Sequence, residues 1–385
     1  MTRTRLVKGT ITERTGGNET YYAEGNIVLN AGKSINITSV DGISFGEPET
    51  NESIIESEIS VKILKNDFLP LGISNFKGEI ENNTIKFEVR CKKGTAESLT
   101  FLIKHNGSVL YTKQLDTSLK SGDKVEVEWN GFSDSKIYDS TFFTEGELTT
   151  EVTGADNEAK DTFKSKYNKV KWVDVKIDDN TKIIEVTLRV NLSNGNIDSD
   201  VKKSLSDLIS LGLLGLEKYW GRNKTRTIGN SLSVNGNEYE VFIKPLNTEE
   251  NSMPSLRIYA STKKYGRSRN WILSRKLFYN SGYYTSIQED DEDFSHTAAH
   301  EIGHEILQCF GGKLDYSYVH KDSSTLLTQK VIDESVFPIS GEIDLMKYYS
   351  DDSYYTRLNN NFFERNVAAE TDVKGLLWCS ILKIK

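Results

Sequence analysis

The chain has 385 residues, which at about 150 residues per domain predicts two or three domains. Apolar residues make up 37% and aromatic residues 10%, so wholesale disorder is excluded, and the net charge of −8 argues against a protein built mainly to wrap nucleic acid. No run approaches the roughly 18 apolar residues of a membrane span, and the polar N-terminus lacks the apolar core of a signal peptide. We therefore expect synthesis in the cytoplasm and, if the protein acts elsewhere, export without a signal peptide.

The cysteines give no sign of a disulfide framework. Cys91, Cys309 and Cys379 are odd in number, lie far apart and form no CxxC pair. We therefore expect three packed thiols.

Short strands interrupted by glycine are predicted at the start of the chain. Apolar residues alternate within residues 21–46, and Gly25, Gly32 and Gly42 separate the pieces. The segment resembles the repeats of VgrG-like spike proteins of type VI secretion systems. Because stacked repeats usually need three or more units and only about two are present, we expect residues 1–55 to form a spike-like β segment that packs on the next domain, trimerises or docks on a partner. An ordinary β-hairpin is the alternative.

Strands at about ten-residue spacing are predicted for residues 56–155. Residues 84–90 alternate apolar and polar side chains, and further strand patterns follow up to residue 129, separated by turn signals such as Asn106-Gly107. The pattern favours an Ig-like β-sandwich acting as an adaptor or binding module. The polar residues 154–166 are typical of a linker.

After this linker the pattern changes to that of an α+β domain, residues 156–385. A strand is predicted for residues 183–191 and an amphipathic helix for residues 200–220, with further strands after it. A second helix is predicted for residues 295–310, preceded by an acidic run and ended by Gly311-Gly312. The expected fold class is multidomain, with a β-rich N-terminal half and an α+β C-terminal domain.

The second helix contains the motif HExxH. His300 and His304 are four residues apart and share one face of the helix, with Glu301 at its flank. Two imidazoles so placed can bind one Zn²⁺ ion, and Glu301 can act as general base without being a ligand. Because the chain has only 5 histidines, the motif is expected by chance about 0.005 times, which makes it specific evidence for metal-dependent hydrolysis.

The third zinc ligand has to come from elsewhere in the chain. His296 lies eight residues before His304, about 12 Å along the helix axis, so we expect it to be an outer-shell or solvated residue. His320 follows the Gly311-Gly312 reversal and is the predicted third ligand. Glu334 and Asp344 are the alternatives, because carboxylates also complete such sites.

Residues from about 165 to 385 resemble a zincin metallopeptidase of the type found as toxin domains on type VI secretion effectors and polymorphic toxins. Three segments carry the resemblance: residues 299–307, 316–324 and 341–349. The metzincin branch implies a methionine turn beneath the metal, which would be Met346, and an assisting phenol, which would be Tyr348 or Tyr349. The metzincin pattern also requires glycine at position 307 and histidine at position 310, whereas this chain has Leu307 and Phe310.

The resemblance implies an exported bacterial effector that hydrolyses peptide bonds with Zn²⁺. Its partners would be VgrG-like or PAAR-like spike proteins, a protein or peptide substrate and an immunity protein, and neither nucleic acid nor a membrane span is expected. The alternative is a non-catalytic structural tip or adaptor of a secretion spike with a degenerate zincin fold. An intracellular housekeeping peptidase would leave residues 1–153 without a role.

One basic cluster lies ahead of the motif helix and has aromatic residues between its charges. It could be a nucleic-acid patch or a rim that selects acidic substrates, but we expect a solvated basic face. Its members are Lys263, Lys264, Arg267, Arg269, Arg275 and Lys276.

Overall fold

Strands prevail over helices in the part of the chain that the structure describes. This computed structural model describes residues 57–385, except residues 65, 81, 155, 156, 264, 313 and 333. The mixed, β-rich character expected from the sequence is confirmed over these residues. The spike-like segment predicted for residues 1–55 lies outside the described residues.

The front half consists of short strands joined by turns. The strands are, in chain order, β1 (Glu58–Leu64), β2 (Asp67–Phe68), β3 (Ile85–Lys93), β4 (Thr95–Ala96), β5 (Leu99–His105), β6 (Ser108–Leu115), β7 (Leu119–Lys120), β8 (Lys124–Trp129), β9 (Ile137–Asp139), β10 (Leu148–Thr153), β11 (Glu158–Phe163) and β12 (Ser165–Tyr167). A 3-10 turn at Pro70–Gly72 follows β2, and a short helix, α1 (Thr141–Thr144), follows β9.

Two antiparallel sheets face each other in this half. One has the strand order β1-β3-β8 and the other β11-β10-β5-β6. The ring of Phe87 in β3 packs edge-on against Phe101 in β5 and Phe163 in β11, with ring centroids 5.0 and 5.9 Å apart. These aromatic contacts join the inner faces of the two sheets, as in a β-sandwich.

The segment predicted as a linker, residues 154–166, contains the strand β11 and most of β12. β11 pairs with β10 along its whole length, from Phe163 opposite Leu148 to Glu158 opposite Thr153. Because β11 is the edge strand of its sheet, its outward side chains stay polar while Ala159 and Phe163 are buried. The linker prediction was wrong because an edge strand can have the polar composition of a loop.

The back half combines strands with the long helices. Its strands are β13 (Val173–Asp178), β14 (Ile183–Val190), β15 (Leu192–Ile197), β16 (Leu232–Val234), β17 (Asn237–Asn247), β18 (Leu256–Ser261), β19 (Arg269–Trp271), β20 (Ser274–Asn280), β21 (Ile343–Asp344), β22 (Asn366–Val367) and β23 (Leu382–Ile384). Its helices are α2 (Leu205–Trp220), α3 (Ile287–Gly311), α4 (Leu314–Tyr318), α5 (Tyr354–Asn359), α6 (Phe362–Arg365) and α7 (Glu370–Trp378). None of the described helices is both long and apolar enough to cross a bilayer.

Helix α3 lies between α2 and the end of a mixed sheet. The back half has one sheet with the order β16-β17-β14-β13-β9 and another with the order β15-β18-β20-β19. α3 packs against α2 on one side and against β19 and β20 on the other. Trp220, at the end of α2, donates a hydrogen bond from Nε1 to the carbonyl oxygen of Ala299, 3.1 Å away. These contacts fix the helix that carries the HExxH motif.

Both long helices begin at capping boxes, and their first residues therefore differ from the predicted ones. Ser204 and Asp207 cap α2, so this helix starts at Leu205, five residues after the predicted start at residue 200. Ser286 and Glu289 cap α3, so the acidic run at 289–293 lies inside the helix rather than before it. The predicted end of α3 is confirmed, because Gly312 follows it with a left-handed φ of 60°.

Three strands of the front half, β2, β9 and β12, pair with strands of the back half. β9 pairs with β13, and β2 pairs with β23, which in turn pairs with β12. The predicted boundary between residues 155 and 156 therefore separates strands that are hydrogen-bonded to each other.

Candidate metal centre

Helix α3 presents His300, Glu301 and His304, and all three side chains are buried. Gly303 lies directly against the sulfur of Met346, and a Cβ at position 303 would overlap that sulfur. A side chain at position 303 would therefore require Met346 to move. Met346 is fully buried against the turn that carries the histidines.

The structure brings His320 to the two histidines of the motif. One possible ligand atom of each of the three imidazoles lies within 4.8 Å of the other two. The ring centroid of His320 is 5.2 Å from that of His300 and 4.9 Å from that of His304. These three buried histidines could hold a metal ion.

Hydrogen bonds at Nδ1 orient each ring. His300 Nδ1 lies 2.7 Å from the carbonyl oxygen of Leu345, and His304 Nδ1 lies 3.1 Å from that of Ser317. Because a carbonyl oxygen only accepts, Nδ1 of both rings is the donor, and the lone pair of each neutral ring is at Nε2. His320 Nδ1 lies 2.7 Å from the Ser324 hydroxyl, and this hydrogen bond orients the third ring at the same nitrogen.

The atoms that face one another have no hydrogen-bond partners. Nε2 of His300, Nε2 of His320 and Oε2 of Glu301 are buried and unpaired in the described chain. His304 Nε2 lies 3.9 Å from Glu301 Oε2. Buried polar atoms normally have a partner, so these atoms fit a bound metal ion with a water or substrate oxygen beside Glu301.

Burial shifts the pKa of all four side chains. It lowers the pKa of His300, lowers that of His304 to about 3, and with His304 holds the pKa of His320 far below its usual range. Neutral imidazole is the form that binds a metal ion. Burial raises the pKa of Glu301 to about 8, although nearby Arg267 opposes the rise. The metal-free site therefore favours neutral ligands and a carboxyl group that holds its proton.

The loop that carries His320 has an unusual backbone. His320, Lys321 and Asp322 have φ angles of 51°, 59° and 66°, in the left-handed region that few residues other than glycine adopt. Contacts elsewhere must hold such a backbone in place. Lys321 Nζ lies 2.6 Å from Asp344 Oδ2 and 2.9 Å from Asp372 Oδ2. This ion triad joins the loop to the turn before Met346 and to α7.

The two candidate tyrosines have different surroundings. The Tyr348 ring lies over His320, and its hydroxyl accepts a hydrogen bond of 3.3 Å from the Arg267 guanidinium. The Tyr349 hydroxyl accepts a hydrogen bond of 3.0 Å from the backbone N–H of Asp344, and its ring packs on Phe337. Tyr348 thus contacts the histidines, whereas Tyr349 supports the turn behind them.

Two cavities meet at the metal centre. A cavity of about 260 Å³ on the His300 side has polar walls that include Asp293 and Arg357. A larger cavity of about 550 Å³ lies on the side of His304 and His320. Glu301 and Tyr348 line both. A molecule larger than water can therefore reach the unpaired atoms from two directions.

Three other candidate residues lie outside the histidine triad. His296 is buried rather than solvated, and its ring packs against Phe362, 6.5 Å from the ring of His300. Asp344 is engaged by Lys321. Neither Asp344 nor Glu334 belongs to the group that could hold a metal ion.

The basic cluster is divided rather than continuous. Lys263 lies 3.1 Å from Asp200, and Arg275 lies 3.2 Å from Glu305. Arg267 and Arg269 line the larger cavity instead, beside Glu301. The remaining members are Lys276, which lies over the ring of Tyr259, and Lys264, which is outside the described residues.

Sequence reasoning missed the residues that hold the histidines in position. Ser317 and Ser324 lie within four residues of His320 in the sequence, so they could have been predicted as hydrogen-bond partners of the histidines. Lys321 follows the predicted ligand directly, but its partner Asp372 is 51 residues away. No short-range pattern points to that pairing.

No protein-family model matches the chain, and no curated protein is detectably similar to it. The function therefore has to be inferred from the site itself.

Proposed function

We propose that this chain is a zinc-dependent peptidase. The observation that carries the proposal is the convergence of three neutral imidazoles on a buried, unpaired Glu301 carboxyl group. Three nitrogen ligands with one open position are the donor set of catalytic zinc sites. When bound there, zinc would polarise the scissile carbonyl group and lower the pKa of water.

Glu301 is the general base of the proposed reaction. Its Oε2 is free of hydrogen bonds and lies 3.9 Å from His304 Nε2, next to the open position. It takes a proton from the attacking water and passes it to the leaving amine. Asn270 Nδ2 donates a hydrogen bond of 2.8 Å to the Glu301 carbonyl oxygen, which holds this turn of α3 against β19.

Tyr348 assists at the carbonyl oxygen. Its hydroxyl donates a hydrogen bond as negative charge develops there, and such donors act most strongly in a site shielded from water. Arg267 donates a hydrogen bond to that hydroxyl oxygen and so helps to orient it. We assign Tyr349 no part in this step, because its hydroxyl is held at the backbone of Asp344 and its ring packs on Phe337 rather than on the histidines.

We assign the back half to the zincin fold and the whole chain to a multidomain effector. Support for the zincin fold comes from the motif on α3, from Met346 against Gly303 and from the Leu345 carbonyl on His300. Support for export by a type VI secretion system into target cells comes from the spike-like pattern of residues 21–46. The partners that follow are VgrG-like or PAAR-like spike proteins and an immunity protein that blocks the cleft. A non-catalytic adaptor would have no use for the unpaired Glu301.

Metal analysis combined with a cleavage assay tests the enzyme. We expect the purified full chain to bind zinc, to cleave a proteome-derived peptide library and to lose cleavage when a chelator removes the metal. Glu301→Gln should keep the zinc and lower the rate by about 10²–10⁴. Glu292→Gln, on the same helix but outside both cavities, is the matched control and should behave as wild type. Unchanged cleavage by Glu301→Gln would refute the mechanism.

A further inference from the structure

The larger cavity has an apolar rim built from two separate segments. Trp271 ends β19, Ile272 and Leu273 form the turn that follows it, and Leu326 and Leu327 come from the loop after His320. Leu273 is 79% exposed and Leu327 is 93% exposed. Isolated exposed leucines are ordinary, but a cluster at one opening indicates a surface that is covered in use.

This apolar rim is continuous with the metal centre. The same cavity is lined by Glu301, His304 and His320, so whatever fills it lies beside the reacting group. The cavity on the His300 side is different, because Asp293, Asp352 and Arg357 give it charged walls. The two sides of the site therefore favour different chemical groups.

We infer that the larger cavity binds a large apolar side chain of the peptide substrate, next to the scissile bond, and so selects the cleavage site. Its volume of about 550 Å³ falls within the range of ligand pockets, about 300–1,000 Å³, and accommodates such a side chain. The inference rests on the proposed peptidase function. A membrane surface is the less favoured occupant, because the apolar residues surround a concave cavity whose walls also include Arg267, Arg269 and Gln329.

Cleavage-site profiling of the zinc-loaded full chain tests the inference. The library peptide that is cleaved best is resynthesised with leucine, phenylalanine, alanine or aspartate at the selected position. We expect kcat/KM to be at least about tenfold higher with leucine or phenylalanine than with alanine. The double variant Leu326→Ser/Leu327→Ser should bring this ratio close to one by lowering kcat/KM for the leucine and phenylalanine peptides.

A matched control and a binding measurement separate this inference from the proposed function. Ile339→Ser removes an aliphatic side chain that is 98% exposed and lines neither cavity, so it should keep the wild-type ratio. Binding of the leucine and aspartate peptides to zinc-loaded Glu301→Gln is measured by calorimetry, which needs no turnover. If the leucine peptide binds more tightly than the aspartate peptide, and the double variant loses this difference, the cavity binds the apolar side chain even if cleavage is slow.

Three outcomes would overturn the inference. Cleavage without preference for leucine over aspartate would refute it and leave the peptidase function intact. Equal binding of both peptides to Glu301→Gln would refute it independently of cleavage. The third outcome concerns phosphatidylcholine vesicles, with or without phosphatidylglycerol. If the wild type binds them, the double variant does not, and peptide selectivity is the same in both proteins, the rim is a membrane-binding surface.

Discussion

The phenol ring of Tyr348 stacks on the imidazole ring of His320, with 3.6 Å between the ring centroids and 22° between the planes. The two residues belong to different loops, and Ser323 joins those loops again by accepting a hydrogen bond of 2.9 Å from the backbone N–H of Tyr348. The proposed third ligand and the proposed electrophilic phenol therefore form one unit. A displacement of either loop would disturb both.

Removing the Tyr348 hydroxyl should affect the chemical step alone. In Tyr348→Phe the ring can still stack on His320, so zinc content should stay unchanged. The lost hydrogen bond to the developing oxyanion should lower kcat by about a hundredfold, with little change in KM. Steady-state kinetics with Tyr349→Phe as the control checks this, since that variant should stay within about twofold of wild type. Equal losses in the two variants would contradict the assignment.

The two histidines that flank the HExxH pair should differ in their effect on metal binding. His320→Ala removes one of three nitrogen ligands and should weaken zinc binding by more than about a hundredfold. His296→Ala removes a buried ring packed between Tyr219 and Phe362, so it should lower thermal stability but keep stoichiometric zinc. Competition with a chromophoric chelator measures both affinities. Tight zinc binding by His320→Ala would show that another group completes the site.

Lys321 should contribute more to the stability of the fold than a loop lysine usually does. Lys321→Met leaves Asp344 and Asp372 without their cation, and breaking a buried ion pair costs about 3–5 kcal/mol. We therefore expect the free energy of unfolding to fall by about that amount and zinc affinity to fall with it, because the triad holds the His320 loop. The control is Lys374→Met, whose partner Glu370 is 40% exposed and whose loss should cost less than about 1 kcal/mol. Urea unfolding of the two variants decides between these outcomes.

The buried carboxyl group of Glu301 predicts a pH-dependent stability in the metal-free chain. Burial raises its pKa from 4.5 to about 8, so between these values the folded state holds a proton that the unfolded state releases. Stability from this group therefore rises as the pH falls through that window and is lost as the pH rises through it. Glu301→Gln cannot ionise, so at about pH 9 it should be more stable than wild type by a few kcal/mol, roughly 2–5.

This advantage of Glu301→Gln should shrink as the pH falls toward about 5. Urea unfolding with chelator present, at several pH values, measures the difference between the two proteins. Glu250→Gln, at an exposed position, provides the reference for a Glu-to-Gln change. A difference that does not vary with pH would show that the Glu301 carboxyl group is not desolvated.

The local sequence pattern was enough to predict which three histidines come together. The spacing of His300 and His304 places them on one face of any helix, whatever surrounds it. The glycine pair at the end of α3 indicated a chain reversal, and this made His320 the favoured third histidine. The structure adds that Gly312 has the left-handed backbone such a reversal uses.

Features that depend on partners distant in sequence could not be predicted. The polar side chains of β11 suggested a linker, because nothing in residues 154–166 shows that β10 lies beside them. The same holds for Lys321 and Asp372, which meet only when α7 packs against α3. The start of α3 was misplaced for a local reason, since Ser286 and Glu289 form a capping box that the acidic run obscured.

The sheets that combine strands of both halves limit how the proposed effector could be exported. β23 lies between β12 and β2, and β13 has β9 as its outer neighbour. A fragment beginning at residue 156 would lose β2 and β9 and would expose two open strand edges that invite aggregation. For the export proposed above, we therefore expect the sandwich and the candidate metal centre to be transported together as one cargo, without proteolytic release of the back half.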